Sequence, residues 1–460
     1  MSETPARPPV TTYAEAERAL IARWPETRLE PSLDRIAAFV ELLGEPQRTY
    51  PVVHLTGTNG KTSTSRMIDT ILRATGLRTG RFTSPHVESM TERITLDGEP
   101  LTEEQFVEAY LDVAPLADLA DADALHPLSF FETVVGMAFA TFANAPVDVA
   151  VVEVGMGGSW DATNVADASV AVVLPVAVDH TSYLGNSPVD IAREKVGIIK
   201  PGCTVVCAAQ ADDVMAVIRE RVQEVGATLL VEGVDFGVEH RVPAVGGQLL
   251  RLRGVRGQYE EVFLPLYGAH QGQNAVVALA AVEALVGRDD PLDADLVREA
   301  FEEVTSPGRL EIVRRSPTIV LDAAHNPAGA EATGEALEDS FTFSPLIGVV
   351  GVMADKDYEG LLAAFEPHLA AIVCTQSSTD RAMDAEELAE AARGIFGPDR
   401  VHVARRLEDA IDEAATLAEA GGVYGEAIGS GGVLVTGSVV TVGEARRMLR
   451  PRRERGGAAG

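Results

Sequence analysis

Short runs of apolar residues alternate with stretches of helical apolar spacing along the first half of the chain. The runs predict buried strands, and the helically spaced stretches predict the helices that connect them. We predict strands at 51–56, 147–154, 168–176 and 204–209, and helices at 62–75, 130–142 and 188–198. Near-continuous Val/Ala strands between helices predict a mostly parallel sheet with both faces covered.

The pattern changes between residues 236 and 266, where short alternating runs are broken by glycines. This segment predicts a small antiparallel β subregion, and a helix is predicted at 269–286 after it. The stretch 296–309 ends in Ser306-Pro307-Gly308, which predicts a domain boundary. A second series of strands and helices follows, with strands predicted at 318–322, 346–353, 371–375, 401–404 and 433–437.

The predicted fold class is α/β, with a P-loop mononucleotide-binding domain followed by a C-terminal Rossmann-like domain. The first is expected to cover 1–305 and the second 306–450, with a disordered tail at 451–460. The length of 460 residues agrees with two domains, because it exceeds the size at which one hydrophobic core keeps growing.

Composition and charge exclude several classes of function. No apolar run reaches the ~20 residues of a membrane span, and the polar arm 1–13 has no secretory signal, so a cytoplasmic protein is expected. The formal net charge of −31 argues against nucleic-acid and membrane binding, because it repels phosphates and anionic lipids. The cysteines, Cys203, Cys207 and Cys374, are odd in number, and the first two lie in an apolar run, which argues against disulfides and zinc.

Lysine is rare in this chain. Of the 38 basic residues only Lys61, Lys195, Lys200 and Lys356 are lysines. Where lysine is kept in spite of the preference for arginine, either the position is due to chance or it needs a compact ammonium or an amine that can lose its proton.

A glycine-containing loop, Gly57-Thr58-Asn59-Gly60-Lys61-Thr62, lies between a predicted strand and a predicted helix. Its backbone amides form a site of positive potential for phosphates, and Lys61 can reach the outer phosphate oxygens. The Thr62 hydroxyl is a candidate Mg²⁺ ligand. The loop is a shortened P-loop, because Leu55 stands where the common pattern has another glycine. The segment predicts that ATP binds here.

Several segments resemble the folylpolyglutamate synthase/dihydrofolate synthase family of the Mur ligase superfamily. They are the TGTNGKT loop, Thr83-Ser84-Pro85-His86, EVGMGG with Asp161-Ala162-Thr163-Asn164, and Asp322-Ala323-Ala324-His325-Asn326-Pro327. Their order continues to Gly437-Ser438, so the resemblance covers nearly the whole chain. It implies an ATP-dependent ligase that adds L-glutamate to dihydropteroate, to a (tetrahydro)folate or to both, in folate biosynthesis; we expect it to be a monomer.

Glu153 ends a predicted buried strand, where a carboxylate is costly unless it meets a cation. The resemblance implies that the cation is Mg²⁺, with Ser84, Glu153 and His180 as ligands beside Thr62. It also implies that Lys195 is carried as a carbamate, an anionic oxygen ligand for a second Mg²⁺. K⁺ is a further candidate cofactor. From the residues alone, Ser84 is a turn residue, His180 a structural histidine and Lys195 an exposed helical lysine.

By the same resemblance, further ATP contacts come from the second half of the chain. They are Asn274, Arg309, Asp322 and His325, and Lys61, Lys195 and His325 are the expected catalytic residues. From the residues alone, Arg309 could be a charge on a linker and His325 a helix-capping residue.

A pterin site is implied by two segments. Its residues are Phe130, Phe131, Glu132, Trp160, Asp161 and Ala162, with aromatic rings to sandwich the pterin and carboxylates to accept from its amino groups. Phe130 and Phe131 could equally be core residues of an apolar helix. Glu30-Pro31-Ser32-Leu33 replaces the glycine-leucine pair that the family often has in its pterin loop.

The expected mechanism follows from the chemistry of amide formation. A carboxylate oxygen is a poor leaving group, so ATP must first convert the carboxylate to an acyl phosphate, which the glutamate amine then attacks. Mg²⁺, Lys61, Arg309 and the loop amides would neutralise the anions, and His325 would hold the outer phosphate or the tetrahedral intermediate. Because both lobes contact ATP, domain closure is expected.

Two alternatives remain open at this point. A cell-wall Mur ligase would apply the same mechanism to a UDP-muropeptide, although the Ser84-Pro85-His86 turn and the segment 160–164 favour the folate branch. A P-loop nucleotide switch would need an Asn/Thr-Lys-x-Asp segment, and none of the four lysines has that context. Asp161-Ala162 with Trp160 favours an enzyme that uses both pteridine substrates.

Overall fold

The structure is a computed structural model, and it describes residues 10–25, 31–287, 290–420 and 430–450. The predicted tail 451–460, most of the N-terminal arm and Glu30 lie outside the described residues. The strands are β1 (Val52–Thr56), β2 (Thr79–Phe82), β3 (Ile94–Leu96), β4 (Glu99–Pro100), β5 (Val149–Glu153), β6 (Val170–Val173), β7 (Thr204–Cys207), β8 (Thr228–Val231), β9 (Gly237–Ala244), β10 (Gly247–Arg253), β11 (Gln258–Leu264), β12 (Glu311–Arg315), β13 (Thr318–Leu321), β14 (Leu346–Val350), β15 (Ala371–Cys374), β16 (Val401–Val403) and β17 (Gly432–Thr436). The helices are α1 (Tyr13–Ile21), α2 (Asp34–Leu42), α3 (Lys61–Ala74), α4 (Glu103–Asp123), α5 (Phe130–Asn144), α6 (Thr181–Leu184), α7 (Pro188–Lys195), α8 (Asp212–Val225), α9 (Ala269–Val286), α10 (Ala294–Glu302), α11 (Pro327–Ser340), α12 (Tyr358–Phe365), α13 (Ala385–Phe396), α14 (Leu407–Ala420) and α15 (Val439–Leu449).

The first sheet has eight strands in the order β4-β3-β2-β5-β1-β6-β7-β8. Six neighbouring strands are parallel, namely β2, β5, β1, β6, β7 and β8. The strands β3 and β4 are antiparallel additions at one edge. Alternate residues of β1 point to opposite faces, so Val53 and Leu55 pack with α3, α9 and α10, while Val52 packs with α2, α4 and α5. The predicted parallel sheet with two covered faces is confirmed.

The segment 236–266 forms a separate antiparallel sheet in the order β11-β10-β9. Its inner face packs against α9 in the same apolar cluster as β1 and α3. The predicted small antiparallel subregion is therefore confirmed. Within the predicted boundary stretch 296–309, however, most of α10 is present, and α10 contacts α3 and β11.

The last sheet has the order β12-β13-β17-β14-β15-β16, and all its strands except β12 are parallel. Apolar clusters cover both faces. The five strands that we predict here are present, whereas β12 is an additional strand. Its sequence, Glu-Ile-Val-Arg-Arg, is only partly buried, so it has no apolar run to reveal it.

The direction of the parallel strands determines where the candidate site lies. The carboxyl ends of β1, β5 and β6 share one edge of the first sheet, and the loop after β13 faces the same space. This is the usual location of ligands in open α/β sheets. Among the described residues, no helix combines the length and apolar character needed to cross a membrane.

Candidate active site

A cavity of about 360 Å³ opens where the loops after β1, β5 and β6 meet the start of α9 and the loop after β13. All the residues that we predict to bind ATP or metal line this cavity. They are Gly57, Thr58, Asn59, Gly60, Lys61, Thr62, Ser84, Glu153, His180, Lys195, Asn274, Arg309, Asp322 and His325. The fold thus brings together residues that are far apart in the sequence.

The loop after β1 has the backbone of a phosphate-binding turn. Gly60 caps α3 with a φ of +88°, and a Cβ at this position would lie 2.7 Å from the Asn274 side-chain oxygen. Glycine is therefore required both by the backbone and by the neighbour. Lys61 Nζ donates to the carbonyls of Gly57 at 2.8 Å and Thr58 at 3.2 Å, so its ammonium lies over the loop.

Glu153 is a buried carboxylate at the end of β5. Thr62 Oγ1 donates to both of its oxygens, at 3.0 and 3.1 Å, and the Ser84 backbone is a further donor. Burial raises the pKa of Glu153 to about 7, although the charge of Lys61 opposes this shift. A buried carboxylate beside a threonine hydroxyl is an oxygen donor set that suits Mg²⁺, which keeps several waters. Glu153, Thr62 and Ser84 therefore fit one of the two implied ions.

Lys195 lies at the end of α7 and is 4% exposed, so it is not the exposed helical lysine that spacing alone would give. Its Nζ donates to the Gly57 carbonyl at 2.9 Å. Burial and the nearby charge of Lys61 lower the pKa of Lys195 to about 7. A neutral amine is therefore accessible at physiological pH, as carbamate formation requires.

His180 contacts Lys356 and Asp179 instead of Glu153. Its Nε2 lies 3.2 Å from the ammonium of Lys356, which forms an ion pair with Asp179 at 2.7 Å. Burial lowers the pKa of His180 to about 4, so the ring is neutral at pH 7. In the described parts of the chain, no three His, Cys, Asp or Glu side chains are arranged to hold a metal ion. The predicted ligands share one cavity without forming a closed coordination shell.

Asp322 organises the second-lobe side of the cavity. Its carboxylate accepts from Leu310 N, Ala324 N and Thr333 Oγ1, each at 2.9 Å. These bonds fix the loop after β13 to the segment that carries Arg309. Asp322 therefore holds the backbone next to Arg309 in place. Arg309 is the cation on this side of the cavity.

The two lobes touch through the loop at the start of α11. His325 Nδ1 lies 3.0 Å from the Ala323 carbonyl, and its Nε2 lies 3.6 Å from an Asp179 oxygen. Asn326 and Asn59 exchange side-chain hydrogen bonds of 3.1 and 3.2 Å. The phosphate loop of the first lobe and the first turn of α11 are thus in direct contact.

A second cavity of about 150 Å³ adjoins the first and shares Ser84, Gly155 and Met156 with it. Five of the six predicted pterin residues line it, together with Trp24, Pro31, Ser32 and Arg35. The five are Phe131, Glu132, Trp160, Asp161 and Ala162. Phe130 does not line it. Its ring lies in the core, 4.9 Å below the guanidinium of Arg93.

The two carboxylates of the second cavity are differently held. Glu132 accepts from Arg35 Nε at 3.0 Å and from Ser129 N at 2.7 Å, which closes a capping box at the start of α5. Asp161 accepts from the backbone amides of Thr163 and Met156, both at 2.9 Å. Burial raises the pKa of Asp161, and these donors oppose the shift.

Comparison with known proteins gives consistent matches. The Mur ligase middle domain matches residues 130–282, and the Mur ligase glutamate ligase domain matches 308–439. The dihydrofolate synthase/folylpolyglutamate synthase of Mycobacterium tuberculosis is 48% identical over 459 residues, which cover 96% of this chain and 94% of the relative. The folylpolyglutamate synthase structure from that organism, complexed with ADP, has a TM-score of 0.92 at 48% identity and covers 95% of this chain and 98% of its own. Escherichia coli FolC in complex with DHPP and ADP has a TM-score of 0.83 at 29% identity, covering 96% and 99%.

The chain belongs to the folylpolyglutamate synthase/dihydrofolate synthase family of Mur ligases. It is an ATP-dependent ligase that adds glutamate in folate metabolism. The predicted fold class, ligase activity and family are thereby confirmed, and the muropeptide ligase and the nucleotide switch are set aside.

Sequence reasoning missed three side chains of this folylpolyglutamate synthase/dihydrofolate synthase site. Asp179 and Lys356 form the ion pair between the lobes, and Arg35 pairs with Glu132 in the second cavity. The rarity of lysine was a usable signal for Lys356, because Lys61 and Lys195 line the first cavity and Lys356 contacts Asp179 and His180 of its lining, whereas Lys200 donates to the Asn164 carbonyl elsewhere. Arg35 had no comparable signal among 34 arginines.

Proposed function

We propose that this ligase is bifunctional and adds L-glutamate both to dihydropteroate and to (tetrahydro)folate polyglutamates. The observation that carries the proposal is the second cavity, which is lined by two carboxylates and three aromatic side chains and shares Ser84, Gly155 and Met156 with the ATP cavity. Both substrates contain the pteridine ring and the para-aminobenzoyl group attached to it. The Mycobacterium tuberculosis relative is named for both activities, and the Escherichia coli relative binds DHPP together with ADP.

The pteridine ring would lie against Phe131 and Trp160, with Asp161 accepting from its N–H groups. Its para-aminobenzoate or glutamate arm would pass Ser84 towards the phosphate loop, because that is where the two cavities join. The substrate carboxylate would then face the outer phosphate of ATP. One cavity would serve both substrates, and the length of the arm would decide which carboxylate reacts.

The reaction would proceed through an acyl phosphate. A carboxylate oxygen attacks the γ-phosphorus and ADP leaves; the glutamate amine then attacks the acyl carbon, and phosphate leaves with the attacking oxygen. Bound Mg²⁺ ions would supply charge neutralisation for the phosphates. Lys61, Arg309 and the loop amides would orient the phosphates, and most of the acceleration would come from positioning and preorganised electrostatics.

The two lobes, which we assign to 1–305 and 306–450, would close around ATP. The contacts Asn59–Asn326 and Asp179–Lys356 support closure, since each joins a first-lobe loop to a second-lobe loop beside the cavity. Closure would bring His325 next to the outer phosphate, where its imidazole can donate to the phosphate or to the tetrahedral intermediate.

The test is ADP release from the purified protein with Mg-ATP and L-glutamate. Dihydropteroate, tetrahydrofolate and a UDP-muropeptide are supplied in separate reactions, and products are identified by mass. A gain of one glutamate on both pteridines is expected, and Lys61→Ala should abolish both reactions. Extension of only one pteridine would overturn bifunctionality, and extension of the muropeptide alone would overturn the assignment of the second cavity.

A further inference from the structure

His54 lies on β1 and is fully buried. It points to the same face of the strand as Thr56, because alternate residues of a strand share a face. Both side chains reach the segment that follows β5. His54 Nε2 lies 2.8 Å from Thr163 Oγ1, and Thr56 Oγ1 donates to the Gly157 carbonyl at 2.9 Å. The strand that leads into the phosphate loop is thus also tied to the segment that lines the second cavity.

Thr163 continues this contact to Asp161. Its backbone amide donates to Asp161 Oδ1 at 2.9 Å, and its hydroxyl bonds to the same oxygen. Asp161 is 3% exposed and lines the second cavity. Its carboxylate is therefore held from behind by Thr163 while it remains next to the space where the pteridine would lie.

The number of available hydrogen atoms fixes which atom donates in each hydrogen bond between His54, Thr163 and Asp161. An ionised carboxylate only accepts, so the single hydroxyl hydrogen of Thr163 is directed to Asp161. Thr163 Oγ1 can then only accept from His54, which places the ring hydrogen on Nε2. His54 Nδ1 is buried and has no hydrogen-bond partner among the described residues. Burial, with a smaller contribution from the charge of Lys200, lowers the pKa of His54 to about 3, in agreement with a neutral ring.

We propose that His54 is a positioning residue for the pteridine substrate, because through Thr163 it holds the Asp161 carboxylate at the second cavity. The inference rests on the proposed function of that cavity. An imidazole with an unpartnered buried nitrogen is a poor core residue, since a buried polar atom without a partner is costly. An apolar side chain would fill the same space without that cost. What the histidine adds is the hydrogen bond to Thr163.

Two matched pairs of variants test this role. His54→Leu removes the donor, whereas a glutamine at this position, His54→Gln, keeps a side-chain N–H. Thr163→Val removes the hydroxyl at nearly constant shape, whereas Thr163→Ser keeps it. For each protein, dissociation constants of dihydropteroate and of ADP are measured by calorimetry, and thermal unfolding is followed in parallel. Thr163→Val tests the link from its other end if His54→Leu does not fold.

His54→Leu and Thr163→Val should each weaken dihydropteroate binding about tenfold, the effect expected for a lost hydrogen bond that orients a charged group. ADP affinity should stay close to that of the unaltered protein, and His54→Gln and Thr163→Ser should restore pteridine binding. The unfolding midpoint should change little for His54→Leu and should fall for Thr163→Val, because that variant leaves the buried N–H of His54 without its acceptor. The double variant His54→Leu/Thr163→Val should be no weaker than either single variant, because both break the same chain.

Equal losses of ADP and pteridine affinity would mean that His54 only supports the fold, and additive losses would mean that the two residues act separately; either result overturns the proposal. If the unaltered protein binds no dihydropteroate, the proposed function itself fails. If it does bind and His54→Leu binds equally well, only the inference about His54 fails.

Discussion

Lys61 and Lys195 donate hydrogen bonds to the same backbone oxygen, that of Gly57, at 2.8 and 2.9 Å. Lys61 is half-buried and Lys195 is buried, and burial lowers the pKa of both. The charge of Lys61 lowers the pKa of Lys195 further, to about 7. Converting Lys195 to a carbamate would replace one of two adjacent cations with an anion, which relieves this repulsion and adds an oxygen ligand beside the phosphate loop.

Lys195→Ala should therefore reduce kcat roughly 100-fold, the size expected when one preorganised electrostatic group is lost from an active site. Added acetate should restore part of the activity, because a small carboxylate can stand in for the carbamate oxygens. Lys200→Ala is the matched control, since Lys200 donates to the Asn164 carbonyl away from the cavity. Carbon-13 NMR with labelled bicarbonate should show a carbamate signal that Lys195→Ala lacks. A signal present in both proteins would contradict this account.

The raised pKa of Glu153 predicts a pH-dependent stability in protein freed of metal by chelation. The folded state holds this proton up to about pH 7, whereas the unfolded chain releases it near the ordinary pKa of 4.5. The folded state therefore binds more protons in this interval, so the Glu153 contribution to stability is present below pH 4.5 and is lost as the pH rises to 7. Urea unfolding at about pH 5 and about pH 7.5 should show a smaller decrease for Glu153→Gln than for the unaltered protein. Equal decreases would show that Glu153 is ionised throughout.

The adjacent residues Phe130 and Phe131 should have different roles, the first in core packing and the second in ligand binding. Phe131 lines the second cavity and Phe130 does not. Phe131→Leu should weaken dihydropteroate binding about three- to tenfold, because a stacked ring is lost, and should leave ADP binding unchanged. Phe130→Leu should lower the unfolding midpoint and leave the pteridine affinity unchanged. Weaker pteridine binding in Phe130→Leu alone would mean that the ligand lies on the other side of α5.

The ion pair between Asp179 and Lys356 joins the lobes at 2.7 Å, and both side chains are about nine-tenths buried. A double-mutant cycle with Asp179→Asn and Lys356→Met should give a coupling of roughly 1 to 2 kcal/mol in the free energy of ATP binding. The pair Arg381–Asp355, at 3.0 Å but half-exposed, is the control and should give no measurable coupling. Additive effects of Asp179→Asn and Lys356→Met would show that closure does not depend on this contact.

The sequence predicted those parts of the site that local patterns encode. The strand, glycine loop and helix around Lys61 follow from spacing alone, and the buried end of β5 identified Glu153. Contacts made only in the folded protein could not be predicted in this way. Lys356 reaches Asp179 across the lobes, and His54 contacts Thr163, which is 109 residues away in the sequence.

Two features of the fold differ from the prediction because they depend on contacts between elements. Phe130 and Phe131 are adjacent in an apolar helix, and only the rotation of α5 decides which of them faces the cavity. The strand β12 was not predicted because its charged residues interrupt the apolar pattern, and its position follows from pairing with β13. Both cases depend on tertiary packing, which overrides local preference.

The most direct test of the proposed chemistry follows one oxygen atom. Dihydropteroate and a tetrahydrofolate monoglutamate are labelled with oxygen-18 in the reacting carboxylate and incubated separately with the protein, Mg-ATP and L-glutamate, and the released phosphate is analysed by mass spectrometry. Attack of a carboxylate oxygen on the γ-phosphorus predicts one labelled oxygen in each phosphate formed, from both substrates. Phosphate without label alongside a glutamylated product would contradict the acyl-phosphate mechanism, and label from only one substrate would contradict a shared site for both.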